Sequence, residues 1–207
     1  IFGIRPTLGL AALTMAGTIG IGAVLGIIAG YFRGIAEEII MRIVDVMLSF
    51  PSQIMVFAVV ALLGISVQNV IIANVFIKWA WYARMIRTGV MQYRDKNFVQ
   101  FSRCVGMPER FILFRHLLPS ITSDLAVLAS LDIGWAIINI STLSFLGLGV
   151  QAPTPEWGAM LNEAKEVLTR NPTQMLAPGI AIVALVCCFN LLGDAMRDVL
   201  DPKEVAK

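Results

Sequence analysis

The chain has 207 residues, of which 57% are hydrophobic and only 14% charged, with a formal net charge of +2. Soluble domains carry about 25% charged residues, so the composition excludes an ordinary water-soluble domain and points to a membrane protein. The basic residues do not gather into a patch with interleaved aromatics, which excludes a nucleic-acid binder.

Taken in chain order, the first apolar run separates Arg5 from Arg33 with no charged residue between them, more than the ~20 residues that cross a hydrocarbon core. Further uncharged runs predict an all-α, polytopic helix bundle with five spans, at about 7–31, 40–63, 69–88, 118–146 and 174–196. The glycines of the first span (Gly9, Gly17, Gly20, Gly22, Gly26, Gly30) fit either simple tolerance of glycine in a membrane helix or a close-packing face. The second and third spans separate at `GISVQN`, because an unbroken Val46–Ile77 helix is longer than one crossing needs and Gly, Ser and Asn supply turn chemistry. Trp79, Trp81 and Tyr82, close to Arg84 and Arg87, read as packing or interface aromatics rather than as a cation cage.

The most charged stretch follows, `YRDKNFVQFSRCVGMPERFILFRHLLPS`. Phe98, Phe101 and Val105 recur at helical spacing over 96–107, opposite Lys96, Gln100 and Arg103; Gly106 and Pro108 stop the helix, and `ERFILFRHLLPS` leads as helix into the next span. Two readings stand: an interfacial helix on anionic lipid, or a helix, hinge and helix presented to a cytoplasmic partner.

Asp132 is the one charge well inside span four, and an ionisable residue at membrane depth is a candidate for function. It fits a pore-lining role or a contact to a polar residue on a neighbouring helix. Lys78 fits a pore charge or a partner for a carboxylate, and Asp45 a structural partner for Arg42 or for another helix. Asn139, Ser141 and Ser144 line a passage or hydrogen-bond across helices. In the loop 148–173, Pro155, Glu156 and Trp157 start a short helix, the carboxylate suiting its N-terminus. That helix is a plug on the bundle or a gate. Cys104, Cys187 and Cys188 have no metal or disulfide spacing and read as small apolar fillers. There is no `GK[ST]` phosphate loop, and His116, the single histidine, has no obvious nucleophile beside it. Neither ATP chemistry nor an intramembrane hydrolase is expected on this chain.

Lys and Arg orient the spans. Arg84, Arg87, Arg94, Lys96, Arg103, Arg110 and Arg115 assign the middle segment to the cytoplasm, together with Arg33, Arg42 and the C-terminal tail; the loop 148–173 and the residue-1 end are then external. An external start without a leader leads to the expectation of one more N-terminal span than is seen here.

`NFVQFSRCVGMPERFILFRHLLP` resembles the EAA loop of ABC-importer permeases, with Arg103, Gly106, Leu118 and Pro119 at the expected spacing and Gln100, Phe101 and Ser102 in place of Glu, Ala and Ala. `LSFLGLGVQAPTPEWGAMLNEA`, `FNLLGDAMRDVLDPK` and `MRIVDVMLSFPS` resemble the oligopeptide, dipeptide and nickel branch of these permeases, so the likeness covers nearly the whole chain. The resemblance implies one permease domain of the type I importer fold over 1–207, with a cytoplasmic coupling loop at 93–119. It further implies a multi-pass plasma (inner) membrane subunit that joins a related second permease, two ABC ATPases carrying ATP and Mg, and an external substrate-binding protein. Phe98, Gln100, Phe101, Ser102, Arg103, Gly106 and Met107 would meet the ATPase, and Pro155, Glu156 and Trp157 the binding protein and gate. `KWAWYARMIR` and `LDIGWAI` look more like nickel or metal-chelate permeases than dipeptide permeases. The cargo expectation is accordingly nickel or a metal chelate, with no metal held tightly by this chain. The alternatives are a di- or oligopeptide, whose charged termini suit Asp132 and Lys78, and, more distantly, a nontransporting membrane scaffold.

Overall fold

The computed structural model describes residues 2–200, and among these it holds helices and no strand. The order is α1 Ile4–Phe32, α2 Ile35–Ser49, α3 Ser52–Leu63, α4 Val67–Arg94, α5 Asn97–Cys104, α6 Glu109–Ile112, a π-helical turn Leu113–Leu117, α7 Leu118–Phe145, α8 Trp157–Ala164, a 3-10 turn Lys165–Val167 and α9 Thr173–Leu200. Three unbroken stretches are long and apolar enough to cross a membrane: α1, the continuous 37-residue run Glu109–Phe145, and α9. The 28-residue α4 is as long as α9 but carries Lys78, Arg84, Arg87 and Arg94.

The expected second span, 40–63, is not one straight helix: it falls on two helices, α2 and α3, bent by 91°, which are together apolar enough to cross a membrane. Phe50 is extended (φ −95°, ψ 145°) because the residue before a proline is pushed out of the α region, and Pro51 follows. The polar face of α2 is held along the C-terminal half of α4, where Glu37 pairs with Arg87 and Asp45 with Arg84. The turn expected at `GISVQN` is present. Gly64 ends α3, and Ser66 caps α4 by accepting from the Asn69 N–H at 3.1 Å.

The centre of the fold is the parallel packing of α1 on α4, in which Gly17 meets Val75, Gly22 meets Tyr82, Gly26 meets Ala83 and Gly30 meets Val90. A Cβ at Gly22 would stand 2.5 Å from the Tyr82 Cβ, and one at Gly26 2.6 Å from the Ala83 carbonyl oxygen. The four-residue repeat Gly22, Gly26, Gly30 is therefore the small-residue contact that lets two membrane helices touch backbone to backbone. Gly9 and Gly20 face open space. α7 runs antiparallel to α4, placing Gly89 beside Ile121 and Lys78 beside Asp132, and α9 lies outside α7 with Gly193 against Leu131. Ile137, Ile140 and Leu143 of α7 join Tyr82 and Ile86 of α4 in the buried core. In α9, by contrast, Leu176, Ile180, Val183 and Leu191 are exposed on the isolated chain. Cys104, Cys187 and Cys188 are also exposed, so they do not fill this chain's interior.

The π turn has a local cause. Pro119 has no N–H to give the Arg115 carbonyl, and the helical register widens just before it.

Candidate functional site

Polar and aromatic residues concentrate at three levels along α7. At the α5 end, the expected glycine stop is built as a C-cap: Gly106 takes φ +80°, and the Met107 N–H reaches the Ser102 carbonyl at 3.0 Å. Val99 and Ser102 face inward, while Phe98, Phe101 and Val105 face outward, Phe101 being 70% exposed. Periodicity identifies the apolar face of α5; the structure turns that face away from the bundle. With Met107, Phe111 and His116 it lines a groove of about 580 Å³.

Other residues of the segment hold it in place. The Gln100 amide donates to the Asp95 carbonyl at 3.0 Å, and the Arg103 guanidinium lies 5.2 Å from the Tyr31 ring. His116 Nε2 stands 3.1 Å from the Ser102 hydroxyl, linking α5 to the π turn, and its ring is edge-on to Phe111. Sequence reasoning assigned His116 no partner because Ser102 lies fourteen residues away. Arg94 was read only as a topology signal. It is 6% exposed and donates to the Gly30 and Tyr31 carbonyls at 3.2 and 3.0 Å, which satisfies the end of α1.

In the middle of the bundle, Lys78 Nζ donates to Asp132 Oδ1 at 3.0 Å, and the two side chains are 15% and 14% exposed. The ammonium lies 3.7 Å from the centroid of Trp135 and 5.1 Å from that of Trp81. Trp81, expected to be a packing or interface aromatic, therefore flanks a cation. One helical turn or more above, the Asn139 amide donates to Gln53 Oε1 at 3.1 Å, tying α7 to the first turn of α3 just beyond the Pro51 bend.

At the α8 end, Glu156 is fully buried. One carboxylate oxygen accepts from the Ser141 hydroxyl at 2.8 Å and from the Thr7 hydroxyl at 3.5 Å, and the other from the Ala159 N–H at 3.0 Å. The Trp157 N–H donates to Thr7 Oγ1 at 3.4 Å. Ser141 thus belongs to a knot joining α1, α7 and α8, and the Ser144 hydroxyl accepts from the Val150 N–H at 3.0 Å. Pro155 is exposed, while Trp157 is buried against Gly3. Lys78 and Asp132 are brought together, whereas Asn139 and Ser141 bond to different partners. Among the described residues, no three of His, Cys, Asp and Glu are grouped to hold a metal ion.

Comparison with known proteins gives this arrangement its place. The chain is 46% identical over 171 residues to the metal-staphylopine import system permease protein CntC of Staphylococcus aureus, covering 83% of this chain and 59% of CntC. It is 41% identical to the glutathione transport system permease protein GsiD of Pectobacterium atrosepticum (98% of this chain, 67% of GsiD). It is also 41% identical to the nickel transport system permease protein NikC of Escherichia coli K12 (98% of this chain, 73% of NikC). A solved inward-facing structure of the MetNI methionine ABC transporter superposes with a TM-score of 0.76 at 20% identity, over 95% of this chain and 94% of that one, so the all-α fold is that of a type I importer permease. Residues 22–205 match the family described as the binding-protein-dependent transport system inner membrane component. With helices long and apolar enough to span a bilayer and a likeness that runs through nearly all of its length, the chain belongs to that family of inner membrane transport components.

Proposed function

We propose that the chain is one permease subunit of an ATP-driven ABC importer in the plasma (inner) membrane, forming half of a passage for nickel or a metal chelate. Its partners on this reading are a related second permease, two ABC ATPases and an external binding protein. ATP and Mg belong to the ATPases, and this chain catalyses nothing itself. The α5 end and the C-terminus face the cytoplasm, where the basic residues of α4 to α7 gather; the α8 end faces outward.

The observation that carries the reading is the exposed aromatic groove of α5, with Gly106 at its end, on the side of the bundle opposite the buried Glu156 knot. A helix with its apolar face turned outward at a helix end suits an ATPase cleft, and Phe98, Phe101, Gly106 and Met107 are the contact residues. Gln100, Ser102 and Arg103 hold α5 against its own chain. Lys78 and Asp132, with Asn139 nearby, are the polar groups of the passage, and Pro155 offers an exposed point for the binding protein beside the packed Glu156 and Trp157.

A di- or oligopeptide cargo is the second reading, favoured by 41% identity to a glutathione permease as well as to a nickel one. Uptake of radioactive nickel, with and without excess dipeptide, in vesicles holding the complex and its binding protein decides between them. ATP-dependent nickel accumulation that dipeptide leaves untouched is the expected result. Dipeptide uptake without nickel transport overturns the metal reading in favour of the peptide one.

A further inference from the structure

The joint between α1 and α2 holds two consecutive residues at positive φ. Arg33 takes φ 46° and ψ 177°, and among the described residues it is the one residue other than glycine in that half of the map. Gly34 follows at φ 76° and ψ −143°, a conformation that only glycine adopts with ease. Glycine would also carry the Arg33 backbone without steric cost, so what arginine adds there is the contact its side chain makes. The Arg33 guanidinium donates to Asp95 Oδ2 at 3.0 Å, and the two side chains are 52% and 54% exposed. An exposed pair of this kind is weak, which suits a contact that breaks and re-forms.

Asp95 is also an anchor of α5. Its carbonyl accepts from the Gln100 amide at 3.0 Å, and Arg103 of α5 lies 5.2 Å from the ring of Tyr31 near the end of α1. Arg94, buried and bonded to the Gly30 and Tyr31 carbonyls, fixes α1 to α4, so a displacement of α5 falls on the joint rather than on that packing. Beyond the joint, α2 rests on α4 through Val44 against Ala80 and Ala83, small side chains over which a helix can slide. After the Pro51 bend, Gln53 accepts from Asn139 at 3.1 Å in the middle of the bundle. Building on the importer reading above, we infer that Arg33 and Asp95 are positioning residues for energy transfer. While α5 is seated, the pair holds the joint in its strained form. When α5 is drawn away the pair opens, Arg33 returns to an ordinary backbone region, and α2 shifts against α4, taking the Gln53 contact with it.

The test measures the distance between spin labels on Ser49→Cys in α2 and Thr88→Cys in α4, both exposed positions, in the purified complex with Cys104, Cys187 and Cys188 replaced by serine. Adding ATP and Mg should shift the distance in the otherwise unchanged chain. The same shift should appear without nucleotide in Arg33→Gln, in Asp95→Asn and in Gly34→Ala, whose added methyl meets nothing within 4 Å and disfavours only the backbone form. A purely structural contact would lower the unfolding midpoint and leave the distance alone. In vesicles of the complex with its binding protein, the ATP hydrolysed per molecule of radioactive nickel or alanylalanine accumulated should rise about threefold or more in each variant. The double variant Arg33→Gln/Asp95→Asn should be no worse than either single one. A distance that ignores ATP, unchanged distances in the three variants, or losses that add in the double variant overturn the inference. Shifted distances with no accumulation by the wild type remove the importer and leave the joint; accumulation with wild-type distances in every variant does the reverse.

Discussion

The two ends of α7 solve opposite problems. At the α8 end a carboxylate is wholly buried, and its acceptors are met by Ser141, Thr7 and the Ala159 N–H, all within this chain. At the α5 end the buried positions are small, and the large side chains Phe101, Val105 and Phe98 are 70%, 58% and 42% exposed. One end is completed by its own residues; the other leaves apolar area that only something outside the chain can cover. A polar group that can be satisfied internally makes a fixed cap. An apolar face turned outward makes a joint.

The largest effect should come from breaking the completed end. Glu156→Ala leaves the Ser141 hydroxyl and the Ala159 N–H buried without an acceptor and should cost about 3 kcal/mol, read as a lower unfolding midpoint of the purified complex; Glu156→Gln, which keeps one acceptor oxygen, should lose less. Next comes Gly158→Val. A Cβ there would stand 2.2 Å from the Ser141 carbonyl oxygen, and overpacking at this contact should cost roughly 1–3 kcal/mol in the same assay.

Ser102→Ala removes the hydroxyl that meets His116 and should cost about 1 kcal/mol. Because that bond joins α5 to the π turn, the ATP hydrolysed per cargo molecule should rise more than stability falls. Smallest in stability is Phe101→Ser, expected within about 0.5 kcal/mol of wild type, yet it should abolish co-purification of the ATPases. Equal losses of stability for Phe101→Ser and Glu156→Ala would erase the contrast between the ends.

How much of this was legible beforehand depends on the range of the contacts involved. Long apolar runs, the turn at Gly64 to Ser66, the Gly106 stop and the crowd of basic residues in 84–115 are local patterns, and they survive in the fold. The Lys78 and Asp132 pair was one of several pairings the sequence allowed. The bend at Pro51 had a local signal, the Phe50–Pro51 dipeptide, but hydrophobic content outweighed it. The Gly22, Gly26, Gly30 spacing was likewise visible, though nothing in the sequence named α4 as the surface it meets. What stayed hidden joins distant residues: Thr7 to Glu156 across 149 positions, Arg94 to the end of α1 across 64. Periodicity found the apolar face of α5, but periodicity carries no information about which way a face points.

The parallel packing of α1 and α4 has an electrostatic consequence. Parallel helices bring their carboxyl ends together, and each end carries the equivalent of roughly half a negative charge from its aligned peptide dipoles. Two such ends side by side repel. Two cations answer this: Arg94, in the last turn of α4, bonds to the last carbonyls of α1, and Arg33, just past the end of α1, pairs with Asp95 at the end of α4. Part of the positive charge gathered between α4 and α7 thus also offsets a cost created by the fold itself. Replacing Arg94 with a neutral residue would leave the buried Gly30 and Tyr31 carbonyls without their donor and only the exposed Arg33 to offset the two helix ends.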